Sequence, residues 1–218
     1  MRTAAERRLL LAGRQTGKST LAAALAVQVA LVQAKALILL LSPTQRQSGE
    51  LFRKVVDLFD RLGRPVAATV ANARTLELVN GARIISLPGE EGTVRGFSGV
   101  ALLIIDEAAR VADPLYYAVR PMLAVSHGRL VALTTPFGQR GWFHDEWQGA
   151  GAWERVKVTV EECPRIAAAF LQEEQEALGE RWYRQEYLCS FEDAVGAVFR
   201  SEDVARATRD DVDWFEID

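Results

Sequence analysis

Phosphate-binding chemistry is indicated by one run near the start of the chain, Ala12-Gly13-Arg14-Gln15-Thr16-Gly17-Lys18-Ser19. It has the spacing of a P-loop, with alanine in place of the first glycine. A strand is predicted before it, over Arg8–Ala12, and a helix after it, from about Gly17 to Gln33. In that setting, backbone N–H groups of the loop and of the helix N-terminus can surround an anionic phosphate. The alternative interpretation is a Gly-Lys-Ser turn that caps an ordinary helix.

The side chains of this loop have distinct predicted tasks. Gly17 lets the backbone approach the phosphates closely, and Lys18 places a point charge on the β- and γ-phosphates. Ser19 offers a hydroxyl to Mg²⁺. The predicted nucleotide contacts in this part of the chain are Gly13, Gln15, Thr16, Gly17, Lys18, Ser19 and Thr20.

A pair of acids supplies the second part of this chemistry. Asp106 and Glu107 follow the apolar run Leu102-Leu103-Ile104-Ile105, so they lie at the carboxyl end of a predicted buried strand, where α/β sheets bind ligands. Asp106 is predicted to hold Mg²⁺ together with Ser19, and Glu107 to orient and deprotonate an attacking water. The alternative is a solvated acid pair that ends a strand.

Two threonines end the next predicted core strand, beside the strand of the P-loop. Thr134 and Thr135 are predicted to contact the γ-phosphate or the attacking water. By themselves they could equally be β-forming residues before the turn that begins at Pro136.

Two arginines are predicted to assist catalysis. Arg14 lies inside the phosphate loop, where it could bind phosphate or turn toward Glu107. Arg95 lies in a glycine-flanked loop before the acid strand, and a bidentate guanidinium there could reach the γ-phosphate of a neighbouring subunit. For both residues the alternative is a solvated surface arginine.

The elements that must position these residues alternate along the chain. Short apolar runs alternate with longer helical ones, which predicts a mostly parallel sheet with helices on both faces. A hairpin at one edge is indicated by Asn80-Gly81 between Thr75–Val79 and Ala82–Leu87. The remaining predicted elements are strands over Ala36–Ser42, Val66–Ala71, Ala101–Asp106, Arg129–Thr135 and Trp153–Val160, and helices over Gln45–Leu62, Pro114–Val125 with a kink at Pro121, and Ile166–Leu188 with a break at Gly179.

The predicted helix Gln45–Leu62 is amphipathic and also contains several basic side chains. Its apolar side is predicted to contain Leu51, Val55, Leu58 and Leu62. Its basic side chains could face DNA or form a solvated surface, and the solvated surface is the favoured interpretation. They are Arg46, Arg53, Lys54 and Arg61.

Composition bounds the class of protein. The chain has 218 residues, 49% of them hydrophobic and 25% charged, which is ordinary for one globular α/β domain. The net charge of −3 gives no global attraction to nucleic acid. Two cysteines, Cys163 and Cys189, exclude a disulfide framework and a cysteine-rich zinc site. The longest apolar stretch, Leu21–Leu41, contains polar residues, so no membrane span is predicted.

Together, these residues resemble the large terminase subunit of tailed bacteriophages, the ATPase motor that packages DNA into a prohead. The resemblance rests on the P-loop, Asp106-Glu107-Ala108, Thr134-Thr135-Pro136-Phe137-Gly138 and Arg95-Gly96. Further matches are Trp182-Tyr183-Arg184-Gln185-Glu186-Tyr187, Phe191-Glu192-Asp193 and Gly196-Ala197-Val198-Phe199, which are similar to the stretch that joins ATPase to nuclease in that family.

This resemblance implies an α/β P-loop NTPase of the additional-strand (ASCE) type, with a C-terminal helical extension. It implies Mg²⁺-dependent ATP hydrolysis that drives double-stranded DNA into a prohead in the host cytoplasm. Arg95 would act in trans within a homo-oligomeric ring, a pentamer on the portal protein, with the small terminase subunit as a further partner. No membrane partner is expected.

The expected organisation has three parts, an ATPase core over 1–165, a helical linker subdomain over 166–200 and an acidic tail over 201–218. About eleven residues precede the P-loop, fewer than the adenine-binding segment of the family has. No nuclease domain is found in the chain, so we do not expect it to cut DNA.

The motifs leave two alternative functions open. A P-loop phosphotransferase acting on a small molecule would be expected to have an arginine-rich lid and no Glu107 after the metal-binding acid. A nucleotide-gated DNA-binding or assembly module with little turnover would have the same motifs. Replacing Glu107 distinguishes the two, because turnover is lost in a motor and is negligible in the module with or without Glu107.

Overall fold

The computed structural model describes residues 6–87, 89, 94, 96–193, 203 and 207. They form an eight-stranded sheet in the order β3-β4-β5-β2-β6-β7-β1-β8. The strands are β1 (Arg7–Ala12), β2 (Leu37–Leu41), β3 (Ala68–Ala71), β4 (Thr75–Leu78), β5 (Arg83–Ser86), β6 (Leu102–Asp106), β7 (Arg129–Thr134) and β8 (Glu154–Val158).

The last six strands in this order, β5-β2-β6-β7-β1-β8, run parallel to one another. The first two, β3 and β4, are antiparallel to their neighbours. β7 lies between β1, which precedes the phosphate loop, and β6, which ends in the acid pair. This additional strand and the mostly parallel sheet confirm the predicted fold class. The edge hairpin of β4 and β5 is also as predicted, and β8 forms the opposite edge of the sheet.

Six α-helices accompany the sheet in the described residues. They are α1 (Lys18–Val32), α2 (Gln45–Arg61), α3 (Asp113–Val119), α4 (Gly141–Gln148), α5 (Ala168–Leu178) and α6 (Glu180–Glu186). Short 3₁₀ helices cover Ala108–Arg110, Arg120–Leu123 and Val160–Glu162. None of these helices is long and apolar enough to cross a lipid bilayer.

The central strands are apolar on both faces because helices cover both. Every residue of β2 and of β6 is buried. Alternate residues of β2 belong to different hydrophobic clusters: Leu39 packs in the cluster that contains residues of α3 and α4, and Leu40 in the cluster that contains those of α1 and α2. The two clusters are therefore the two faces of the sheet.

Two helix predictions need correction. The helix predicted over Pro114–Val125 ends as an α-helix at Val119 and continues as a 3₁₀ helix, because Pro121 has no N–H to donate to the preceding turn. In α2, Leu51 and Val55 are buried as predicted, but Leu62 follows the helix and is 53% exposed. Phe52 and Phe59 complete the apolar face of α2 instead.

The helical extension is packed directly on the core. Gly179, with φ of +76°, separates α5 from α6, as the predicted break requires. A third hydrophobic cluster joins Val160, just after β8, to Tyr183 in α6 and to Tyr187, the residue that follows α6. The division of the chain at residue 165 stays a prediction, and most of the acidic tail lies outside the described residues.

Candidate nucleotide-binding site

The phosphate loop lies between β1 and α1, at the carboxyl edge of the sheet. Gly17 begins α1 with a positive φ of +94°, a conformation that side chains disfavour. Lys18 Nζ curls over the loop and donates to the carbonyl oxygens of Ala12 (3.0 Å) and Gly13 (2.9 Å). Burial lowers the pKa of Lys18, and the nearby carboxylates of Glu107 and Asp106 act in the opposite direction. The ammonium group is thus held where charge compensation by an anion is favourable.

The loop is also hydrogen-bonded to the last residues of β8 and α6. Gly13 N donates to the carbonyl of Val158 (3.0 Å), and Arg14 N to the carbonyl of Glu186 (2.8 Å). A Cβ on Gly13 would lie 2.7 Å from the carbonyl oxygen of Tyr187. A side chain at Gly13 is therefore excluded by close packing of the extension.

A hydroxyl and a carboxylate meet beside the loop. Ser19 Oγ donates to Asp106 Oδ2 at 3.0 Å, across the gap between α1 and the end of β6. Burial raises the pKa of Asp106, and the neighbouring charge of Glu107 raises it further. These two oxygens suit Mg²⁺, which prefers hard ligands and retains several waters. Among the described residues, no group of three or more His, Cys, Asp or Glu side chains could hold a metal ion.

Glu107 is held in an unusual turn directly after β6. Its φ of 52° lies in the left-handed region, and it begins the 3₁₀ helix Ala108–Arg110. Its Oε2 accepts a hydrogen bond from Arg110 Nη1 at 3.0 Å. The same guanidinium donates to Thr135 Oγ1 (3.2 Å) and to Glu186 Oε1 (3.4 Å).

Arg14 is paired with Glu186 and not with Glu107. Arg14 Nε donates to Glu186 Oε2 at 2.7 Å, and this hydrogen bond raises the pKa of Arg14. In this structure Arg14 binds Glu186 of α6, which has 5% of its side chain exposed, and the turn of Arg14 toward phosphate or Glu107 stays a prediction.

A cavity of about 500 Å³ brings most of the predicted residues together. Its lining includes the guanidinium of Arg14, the end of the phosphate loop and the first turn of α1, Glu107 and Thr135. The full lining is Arg14, Gln15, Gly17, Lys18, Ser19, Thr20, Gln47, Lys54, Glu107, Arg110, Thr135 and Arg165.

Three predicted nucleotide contacts are not among the residues that line this cavity. The N–H of Gly13 is used by β8, and the hydroxyl of Thr16 donates to the Gly13 carbonyl at 2.8 Å. Thr134 is fully buried and its hydroxyl donates to the carbonyl of Thr135. In this structure the Gly13 N–H and the Thr16 and Thr134 hydroxyls donate to carbonyl groups of the protein, and their direct contact with nucleotide stays a prediction. Arg95 lies outside the described residues.

Sequence reasoning missed the other charged residues of the site. Arg110 follows Glu107 by one turn, and that spacing could have identified it. Glu186 and Arg165 gave no such signal, because the chain folds them onto the loop from more than 100 positions away, as the separations of 172 and 150 show. Lys54 of α2 is exposed, as a solvated face predicts, and also lines the cavity.

Comparisons with known proteins agree with this fold. The ATPase domain of the large terminase of Thermus phage P74-26 matches with a TM-score of 0.76 and 22% identity, over 87% of this chain and 90% of that one. The large terminase of the thermophilic bacteriophage D6E matches with a TM-score of 0.70 and 14% identity, over 86% of this chain and 49% of that one. Structures of the D6E protein have been solved with ADP and with ATP-gamma-S.

The large terminase of bacteriophage HK97 matches with a TM-score of 0.59 and 18% identity, over 92% of this chain and 42% of that one. The chain therefore spans most of an isolated terminase ATPase domain and about half of the longer terminase chains. At these identities the likeness establishes the fold. No protein of curated function has a matching sequence.

The sequence itself matches one protein family over residues 9–206, the family described as "Terminase large subunit, T4likevirus-type, N-terminal". This match covers nearly the whole chain and includes the phosphate loop, the acid pair and the helical extension. The chain belongs to the terminase large subunit family and matches its N-terminal part.

Proposed function

We propose that the chain is a Mg²⁺-dependent ATPase whose hydrolysis of ATP drives double-stranded DNA into a viral prohead. The observation that carries this proposal is the convergence of Lys18, Ser19 and Glu107 on one cavity, with Asp106 bonded to Ser19 at 3.0 Å. Binding of ADP and ATP-gamma-S by the D6E terminase, which shares the fold, supports ATP as the nucleotide.

Each of these residues has a task in phosphoryl transfer to water. Lys18 compensates the charge of the β- and γ-phosphates, and Ser19 and Asp106 hold Mg²⁺, which when bound neutralises charge on the phosphate oxygens. Glu107 accepts a proton from the attacking water, whose oxygen forms the new bond to the γ-phosphorus as the bond to ADP breaks. Thr135 lies on the wall of the cavity and is close enough to Arg110 to accept its hydrogen bond.

The two arginines of the predicted site complete the charge compensation. Arg14 assists within its own subunit, from inside the phosphate loop. Arg95 acts on the γ-phosphate of a neighbouring subunit, which requires a homo-oligomeric ring, and we propose a pentamer assembled on the portal protein with the small terminase subunit as a partner. The site of this activity would be the prohead in the host cytoplasm.

The test is steady-state ATP hydrolysis against protein concentration, with and without double-stranded DNA, for the wild type and Glu107→Gln. Loss of the proton acceptor is expected to lower turnover by about 10²–10⁴-fold, with ATP binding retained. Glu173→Gln, an exposed acid on α5, is the matched control and is expected to leave turnover unchanged.

The dependence on concentration tests the shared site. A rate per subunit that rises with protein concentration or with DNA supports completion of the site by a neighbour. Turnover that survives Glu107→Gln would contradict the proposed role of Glu107. Absence of turnover in every protein, with nucleotide binding intact, would contradict the motor and favour a nucleotide-gated DNA-binding or assembly module.

A further inference from the structure

Arg110 occupies a position between the acid of the proposed reaction and the helical extension. It ends the 3₁₀ helix that begins after Glu107, so its side chain returns toward that residue along the same turn. Its guanidinium donates to Glu107 Oε2 at 3.0 Å through Nη1 and to Glu186 Oε1 at 3.4 Å through Nη2. One planar group thus joins two carboxylates from distant parts of the chain.

The guanidinium is fixed by contacts besides these two. Nη1 also donates to Thr135 Oγ1 at 3.2 Å, just after the end of β7. The face of the group lies 4.7 Å from the centre of the Phe137 ring, within the range of a cation–π contact. Arg110 is therefore held on its edge and on its face, and its orientation is set before any substrate binds.

Stability alone is a weak reason for this arrangement. The Arg110 and Glu107 side chains remain 26% and 30% exposed, and partly exposed ion pairs contribute little to the free energy of unfolding. The need to hold the Glu107 carboxylate in one orientation is a stronger reason than stability. Without Arg110, Glu107 would lose the hydrogen bond to its Oε2, and its carboxylate would be free to rotate beside the buried Asp106.

We propose that Arg110 is a positioning residue that holds the Glu107 carboxylate in the orientation needed to activate water and connects it to Glu186 of α6. This inference rests on the proposed function, since it requires Glu107 to act on water. Glu186 also binds Arg14. The result is a continuous chain of alternating charges, in the order Glu107, Arg110, Glu186 and Arg14. The position of α6 thereby affects the orientation of Glu107.

The first experiment measures ATP turnover and nucleotide affinity in Arg110→Ala. We expect kcat to fall about 10–100-fold, since misplacing a reacting group by about 1 Å can cost 10²-fold. We expect the dissociation constant of a fluorescent ATP analogue to change less than about threefold, because the phosphate-binding contacts remain. Arg140→Ala is the matched control: Arg140 lies 5.1 Å from the same Phe137 ring, is exposed, and is expected to retain wild-type kcat.

A second experiment separates positioning from folding. Arg110→Lys keeps the charge but loses the planar fork, so we expect kcat between those of the wild type and Arg110→Ala. In the double variant with Glu107→Gln, Arg110→Ala is expected to cause little further loss, because Glu107 is the group through which Arg110 acts.

Three results would overturn the inference. The first is wild-type kcat in Arg110→Ala, and the second is a loss in the double variant that equals the product of the two single losses. The third is a fall in nucleotide affinity as large as the fall in kcat, which would place Arg110 on the phosphates. A wild type without turnover, or one insensitive to Glu107→Gln, would instead contradict the proposed function itself.

Discussion

The two charged clusters beside the phosphate loop are built in different ways. Ser19 and Asp106 come from the ends of regular elements, α1 and β6, and Asp106 is only 6% exposed. The second cluster, the chain of alternating charges described above, draws on the loop, the turn after β6 and helix α6. Three of its members are more exposed, with 60% of the Arg14 side chain accessible, whereas the fourth, Glu186, is buried. The Ser19–Asp106 cluster, the proposed metal side of the site, is therefore held by regular elements. The second cluster, the proposed water side, depends on the helical extension.

The difference indicates where change in the site is least costly. A strand end buried between two neighbours cannot move without disturbing the core. A helix joined to the core by a small apolar cluster, hydrogen bonds and ion pairs can shift at lower cost. The comparison predicts that variants on the metal side change chemistry alone, whereas variants on the water side change stability and chemistry together.

Asp106→Asn offers the sharpest test of the metal side. We expect turnover to fall about 10²–10³-fold, within the range of removing one preorganised electrostatic group. The free energy of unfolding of the nucleotide-free protein is expected not to fall, because burial and Glu107 disfavour the ionised form of Asp106. Turnover assays and chemical denaturation measure the two effects, with the exposed Asp57→Asn as control. A marked loss of stability would refute the distinction.

Gly13→Ala tests the joint between the loop and the extension. The new Cβ would lie 2.7 Å from the carbonyl oxygen of Tyr187, so the two segments must separate. We expect a loss of about 1–3 kcal/mol in unfolding free energy, together with reduced turnover. The control is Gly49→Ala on α2, where a Cβ meets nothing within 4 Å and helix propensity predicts a small gain in stability. Equal melting curves for the two variants would contradict the joint.

Glu186→Gln is expected to have the smallest effect of the three. It removes the negative charge shared by Arg14 and Arg110 while keeping the shape of the side chain. We expect a loss of about 1.5–2 kcal/mol in unfolding free energy, at the lower end of the range for a hydrogen bond to a charged group, and a fall in turnover of about tenfold or less. Denaturation beside Glu173→Gln measures the first effect. Unchanged stability with unchanged turnover would show that α6 has no influence on the water side.

Local patterns were enough to predict the parallel sheet and the phosphate loop. The apolar runs of β2 and β6 and the glycine-lysine-serine sequence are each read from a few neighbouring residues. The edge hairpin followed from Asn80-Gly81 in the same way, and Arg110 could have followed from its spacing to Glu107.

Contacts between distant segments could not be predicted in this way. Glu186 meets Arg14 because α6 folds back over the loop, and nothing in the pattern of residues 180–186 specifies that partner. Likewise, the sequence did not predict that the Gly13 N–H donates to the carbonyl of Val158 in the distant strand β8. Sequence spacing identified the residue types of the site but not their partners.

The insertion of β7 between β1 and β6 has a consequence for how the site can vary. No backbone hydrogen bond joins β1 to β6, and two steps of about 4.8 Å separate their axes. Each strand is aligned independently against β7. A change in length on either side, in the phosphate loop or in the turn after Asp106, therefore leaves the register of the other strand intact. The two motifs can diverge separately while the width of the cleft between them stays constant.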